Sequence, residues 1–423
     1  MARSLVCLLT FSQLLLVCAF GQTKEYTQRA KNDVRKGPGN YFELISVLPK
    51  GVALEIVKQE SGWARIVIAD PAVVKSLGDD FRRRDAWISK NCLGKSVASG
   101  SLSGAQLALT SAKASPAAVA AAIRGFALRY GRTTSADVDE FLRKQDVTFT
   151  PDEYQRFIAE IPKTKFVSPA KRPGAKDEPP VESPYDFTIS EQGIGAGIAA
   201  RVASKGLVED PELVKYLNLI AAYVVHYSGF YDTQFKVLVI RDAQPNAFAI
   251  PGGYVFITEG MLGLCQNEAD LAAVIAHEIV HIVARHGLRE VEHRRPQIRA
   301  DEVFGELEEE IGAEEDTVVA ELEDYAIEAY ETVMKPRLQG YEEESDRGAA
   351  LLLVRAGYTP TAVPNMVQRI QVAVATNPNI EFENPFAKLD FKKRHTSVMN
   401  YLSRLNYRGG VTKEDRFKSI VKR

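Results

Sequence analysis

Two histidines four residues apart, His277 and His281, sit with Glu278 in the segment LAAVIAHEIVH, residues 271–281. On a helix, positions i and i+4 lie on one face. The two imidazoles can then reach a single metal ion, and the Glu278 carboxylate, one residue on, can hold a water beside it. Two ligands and a general base on one helical turn form an arrangement that activates water for hydrolysis. A catalytic zinc ion usually takes a third protein ligand and keeps one position open. A second segment, residues 341–355, reads YEEESDRGAALLLVR. There Glu342 and Asp346 share a face. One carboxylate can bind the metal while the other accepts a hydrogen bond from a ligand histidine and fixes its tautomer. Glu343 and Glu344 are turned away by about 100° and 200°.

The elements that must carry these residues are also legible. Asn267 precedes the first segment as an N-cap, with Asp270 three places on, and Val274, Ile275, Ile279, Ile282 and Val283 supply a broad apolar stripe. Gly287 is expected to end this helix. The second helix is expected to stop at Ala356-Gly357, with Pro360 just beyond. Upstream, helices are expected around 191–204 and from Asp210-Pro211 to about 227. Val237–Ile240 reads as a buried strand, and residues 247–257 as an edge hairpin with Gly252 and Gly253 at its bend. Between the two ligand segments, residues 301–331 are strongly acidic with helical apolar spacing, which fits amphipathic helices forming an outer face or a lid.

Together with NAFAIPGGYVFITEG at residues 246–260, these segments resemble the gluzincin metallopeptidase family of the CAAX prenyl endopeptidases, HtpX, BepA and the Oma-type enzymes. The resemblance covers about residues 187–405 and is nearest to a soluble, exported branch. It implies one Zn²⁺ per chain held by His277, His281 and Glu342, with Glu278 as general base and Asp346 as the hydrogen-bonding partner of a ligand. It implies that Asn246 and Ala247 lie on an edge strand that pairs with an extended substrate. It also implies a later histidine near the site, acting on the oxyanion or as a gate. His395 takes that place, with Thr396 where the family commonly has proline. Ser345 stands where the family usually has alanine.

The remainder of the chain sets the context. Residues 1–21 read as a signal peptide, apolar from Ser4 to Phe20 with Ala19 and Gly21 before the cut. A membrane anchor, or a lipoprotein acylated at Cys18, stays open. Residues 22–95 pattern as a small all-β unit resembling the bacterial SH3-like domain. Its tryptophans, Trp63 and Trp87, could be core or an exposed surface for a cell-wall or protein ligand. Residues 96–167 read as a helical spacer and 168–186 as a proline-rich linker. The peptidase domain is expected over 187–423. With 53 basic against 55 acidic residues the net charge is −2, which argues against a dedicated nucleic-acid binder. Past the leader only Cys92 and Cys265 remain, in different expected domains, so no disulfide is expected. The fold class expected is therefore multidomain, a small all-β SH3-like barrel followed by a mainly α, zincin-type α+β metallopeptidase domain. The function expected is an exported zinc endopeptidase of the bacterial periplasm or envelope that cleaves extended or misfolded envelope polypeptides. The alternative is a latent or chaperone-like binding factor with a closed zinc site.

Overall fold

The computed structural model describes residues 23–29, 31–68, 85–96, 149–162, 189–287, 337–376, 389–405 and 409–421, with isolated positions between. The expected signal peptide, with Cys18, and the acidic insertion at 301–331 lie outside the described residues, as do most of the spacer, apart chiefly from 149–162, and nearly all of the proline-rich linker. The chain divides into two compact units, residues 1–38 with 45–104, and residues 39–44 with 105–423.

The described elements of the first unit are strands, with one short 3₁₀ turn at Lys90–Cys92. Its strands are β1 (Thr23–Thr27), β2 (Asn32–Arg35), β3 (Leu44–Leu48), β4 (Ala53–Glu60), β5 (Trp63–Ile68), β6 (Trp87–Ser89) and β7 (Leu93–Gly94). They form one sheet in the order β3-β2-β6-β5-β4-β1-β7. The β4–β5 hairpin turns through Ser61 and Gly62, both at positive φ (47° and 85°), the backbone region that tight two-residue turns need. Val34, Leu54, Ile66 and Ile88 alternate into its interior, as the period of a half-buried strand requires. Trp63 and Trp87 are buried with them, so the indoles belong to the core and not to an exposed surface.

The second unit is mainly helical. Its described helices are α1 (Pro151–Ala159), α2 (Ile189–Ala203), α3 (Pro211–Val225), α4 (Glu259–Leu264), α5 (Glu268–Val283), α6 (Gln339–Ala356), α7 (Ala362–Thr376), α8 (Phe391–Arg404) and α9 (Glu414–Val421). A three-stranded sheet accompanies them, with β8 (Lys236–Ile240), β9 (Ala247–Ile250) and β10 (Tyr254–Thr258) in the order β8-β10-β9. β10 runs parallel to β8 and antiparallel to β9, which is left as the edge. Gly252 and Gly253 (φ 77° and 96°) make the β9–β10 bend. The apolar run of β10 is buried along its whole length. It is central in its sheet, so both faces must be apolar.

α5 is nearly all buried, and its ends follow from local chemistry. The Asn267 side chain accepts the Asp270 N–H at 3.0 Å, satisfying one of the free amides of the first turn. The expected stop at Gly287 falls elsewhere. The helix ends at Val283, and Arg285 takes the left-handed conformation (φ 53°) that glycine usually supplies. α6 does end on a glycine, Gly357 at φ 80°. α5 and α6 approach very closely at Gly348, where an added Cβ would stand 2.7 and 2.9 Å from the two methyls of Val280.

Candidate metal centre

α5 presents His277 and His281 toward the face of α6 that carries Glu342 and Asp346. The two histidine Nε2 atoms are 3.0 Å apart. Each lies 3.4 Å from a different oxygen of Glu342. His277, His281 and Glu342 thus form a group able to hold one metal ion. Ligand bonds of about 2.0–2.1 Å in a tetrahedral site would set neighbouring ligand atoms about 3.3 Å apart, which matches this spacing. Ring tautomers point the same way. The Asp346 carboxylate lies 3.0 Å from His277 Nδ1, so that nitrogen carries the hydrogen of a neutral ring and leaves the Nε2 lone pair free. A lone pair aimed at a second imidazole nitrogen and a carboxylate suits a cation between them.

The electrostatics favour positive charge at this point. Burial works against the charge of Glu342, but Arg394 and the two imidazoles outweigh it and hold the carboxyl well below its usual range. Burial also opposes the charge of Asp346, and Arg394 again wins. Burial draws His277 down, yet its hydrogen bonds to Asp346 and Glu342 hold it up at about 10, so without a metal the ring also carries a proton on Nε2, which a bound metal ion would displace to reach the neutral form described above. His281 is driven well below its normal value, chiefly by burial. Burial pushes the Glu278 carboxyl up to about 7, against the pull of the neighbouring His277. Glu278 lines the same cleft as the three candidate ligands, along with Asn246, Ala247 and Arg337.

β9 forms one wall of this cleft. Its pairing with β10 turns the backbone groups of Ala247 and Ala249 outward. Both are engaged by side chains. Asn246 Oδ1 accepts the Ala247 N–H at 2.9 Å, and Arg337 Nη2 donates to the Ala249 carbonyl at 3.2 Å.

Three residues that sequence reasoning left aside join the site. Arg394, on α8, is buried and forks onto Asp346 through Nε and Nη2 at 2.9 and 2.8 Å. Its Nη1 makes an ion pair with Glu342 at 2.8 Å. The readable signal was a charge in the apolar phase of that helix, alongside Phe391, Val398 and Tyr401. His286, beyond the end of α5, brings Nδ1 to 2.9 Å from Nδ1 of His281. Glu344, set aside as pointing elsewhere, lies 3.4 Å from His286 Nε2. His395 does not line the cleft. It pairs with Gln368 at 3.0 Å on the exposed side of α8.

An H-E-x-x-H helix, a glutamate from a second helix converging on the same point, and an adjacent edge strand make an arrangement like that of the gluzincin-type metallopeptidases. Residues 211–403 match the model of peptidase family M48. The mitochondrial metalloendopeptidase OMA1 of Schizosaccharomyces pombe is 44% identical over 80 residues, 19% of this chain and 24% of that protein. The beta-barrel assembly-enhancing protease of Yersinia pestis is 32% identical over 170 residues, 40% of this chain and 35% of the relative. Its namesake in Escherichia coli K12 is 29% identical over 175 residues, 40% and 34% of the two chains. The chain thus spans about a quarter to a third of the length of these relatives.

Proposed function

We propose that this protein is a zinc-dependent endopeptidase acting on extended or misfolded polypeptides of the cell envelope. The observation that carries the reading is the convergence of His277, His281 and Glu342 in a cleft that also holds Glu278 and the edge of β9. A zinc ion held by these three side chains would supply Lewis acidity, lowering the pKa of water and polarising the scissile carbonyl. Glu278 takes the proton of the attacking water and returns it to the departing amine, the work of a general base and then a general acid. Its raised pKa suits both halves of that cycle near neutral pH. Asp346 keeps His277 in the tautomer whose Nε2 faces the site. Asn246 and Ala247 lie where an extended substrate would add to β9 through main-chain hydrogen bonds, a mode largely indifferent to sequence.

The wider organisation is part of the same proposal. Residues 1–21 act as an export signal, 22–95 form an SH3-like targeting domain, 96 to about 150 and 168–186 are spacer and linker, and 187–423 form a zincin-type α+β peptidase domain, to which α1, expected within the spacer, adds by packing Phe157 against Tyr216 and Tyr223. No helix among the described residues is long and apolar enough to cross a membrane. Export to the periplasm or envelope fits the signal reading and the names of the bacterial relatives, which tie those proteins to β-barrel assembly. One observation favours a latent form. Asn246 and Arg337 occupy two of the outward backbone groups of β9 that a substrate strand would use, the Ala247 N–H and the Ala249 carbonyl.

The deciding experiment compares wild type with Glu278→Gln on unfolded casein and on envelope extracts, with metal content measured in both. Cleavage by wild type, a loss of about a hundredfold or more in the variant and equal zinc in both would support the endopeptidase. Bound zinc with no cleavage by wild type, including after Arg337→Ala, would overturn it in favour of the latent binding factor.

A further inference from the structure

His277 has an acid, Asp346, as its direct partner. His281 has none. Its Nε2 faces His277 and Glu342, and a neutral imidazole carries a single hydrogen. If Nε2 is to offer a lone pair, that hydrogen sits on Nδ1. Nδ1 of His281 lies 2.9 Å from Nδ1 of His286, a fully buried ring. His286 must therefore accept there, and its own hydrogen falls on Nε2. That nitrogen meets Glu344 Oε2 at 3.4 Å. The direction of every hydrogen bond in the row is thus fixed by the need for a free lone pair at one end and a carboxylate at the other.

The ring of His286 is held for this task. It stacks on Tyr341 with centroids 4.3 Å apart and planes 11° from parallel. Arg289 lies over the Tyr341 ring at 4.9 Å and 3.9 Å from Glu344. Ser345 Oγ also approaches His286 Nδ1, at 3.4 Å. All of these partners come from the first turns of α6 or from the residues just past α5. The arrangement therefore links the two ligand helices at a point away from the cleft.

We propose that His286 is a positioning residue of the metal site, which with Glu344 forms a two-step hydrogen-bonded row that locks His281 in its metal-binding tautomer. The inference rests on the zinc reading above. It extends the partner set from the one ligand histidine with a direct acid to the other, whose acid is reached through a second imidazole.

The test measures zinc affinity of the full-length protein by chelator competition, and the visible spectrum of the cobalt-substituted protein, in wild type, His286→Leu and His286→Asn. Asparagine keeps an acceptor near the position of Nδ1, and leucine keeps only bulk. The melting temperature of each metal-free protein separates packing from ligand positioning. His286→Leu is expected to weaken zinc binding about 10- to 100-fold and to shift the cobalt bands, with His286→Asn recovering most of both. Glu344→Ala is expected to produce a smaller loss in the same direction. Equal zinc affinity and unchanged cobalt bands in His286→Leu would overturn the proposal. So would equal weakening in the leucine and asparagine variants, which would make His286 a packing residue. Failure of wild type itself to bind zinc would instead overturn the metal reading, and this inference with it.

Discussion

Arg394 decides how the two acids of α6 coexist. Glu342 and Asp346 are both buried, as is the guanidinium that joins them. Removing one partner of such a cluster leaves uncompensated charge in a place that water does not reach, at a cost of about 3–5 kcal/mol. Arg394→Ala is therefore expected to lower unfolding free energy by about that amount in a denaturant titration, and to reduce bound metal because Glu342 loses its fixed orientation. Arg394→Lys should recover only part, since one ammonium cannot fork onto Asp346 and still reach Glu342. A variant as stable and as well loaded as the parent would show that the arginine is incidental. Its neighbour behaves differently. His395→Ala is expected to change stability by less than about 0.5 kcal/mol and to leave metal content untouched, read by calorimetry and metal analysis. The family resemblance implies a histidine after the second ligand helix, and His395 takes that place in the sequence. Adjacent helical residues point about 100° apart, and it is Arg394 that faces inward. His277, His281, Glu342 and Asp346 were readable because i and i+4 spacing on a helix is a geometric statement. His286 was not, because its approach to His281 depends on the left-handed turn at Arg285, which no glycine announced.

At the scale of elements, the site needs α5 and α6 within side-chain reach, and Gly348 against Val280 sets that distance. Gly348→Ala would place a methyl inside the contact radius of the valine side chain, and overpacking of this kind costs about 1–3 kcal/mol. The expected result is a lower melting temperature together with weaker metal binding, and Val280→Ala in the same chain should restore part of both. If the glycine variant melts as wild type does, the helices have room that the close contact denies. β9 offers a second element-level test. Arg337 holds the Ala249 carbonyl, a bond worth about 0.5–1.5 kcal/mol net, and a substrate strand must take it over. Arg337→Ala should then lower KM for an unfolded substrate severalfold with little change in kcat. A higher KM would mean that the arginine contacts substrate. The hairpin itself was legible from its paired glycines between two short apolar runs. That its outer edge is occupied was not, because Arg337 comes from 88 residues away.

At the scale of the whole peptidase unit, the last described residues hold both ligand helices in place. The segment at Val411 and Thr412 runs between them. The Ala269 N–H, in the first turn of α5, donates to the Thr412 carbonyl at 3.1 Å, and the Val411 N–H donates to the carbonyl of Gly357, at the end of α6, at 3.0 Å. α9 then turns Arg416 onto Glu268, a fully buried carboxylate at the start of α5. Arg416 engages both Glu268 oxygens, at 2.6 and 2.5 Å. The hydroxyls of Tyr216 and Tyr358 donate to the same carboxylate at 2.7 and 2.6 Å. Arg416 also donates to the Phe157 carbonyl at 2.9 Å and lies over its ring. One guanidinium thus joins α1, α5 and α9, while the tyrosines bring in α3 and the end of α6. None of this was legible beforehand, because a lone glutamate beside a helix N-cap and a lone arginine near the C-terminus look like surface charges until the chain closes. Every hydrogen-bonding position on the carboxylate is used, so losing one partner strands the others. Arg416→Ala is expected to cost about 3–5 kcal/mol, and Glu268→Gln a smaller amount because the amide keeps one acceptor oxygen. Combined in one chain, the two should fall short of additivity by up to about 3 kcal/mol, measured as unfolding free energy in denaturant. Metal affinity at low temperature should stay near wild type in Arg416→Ala, since the ligands themselves are untouched, while loss of bound metal on heating should move down with the unfolding midpoint. Additive losses, or single variants as stable as the parent, would remove α9 from the elements that hold the metal centre together.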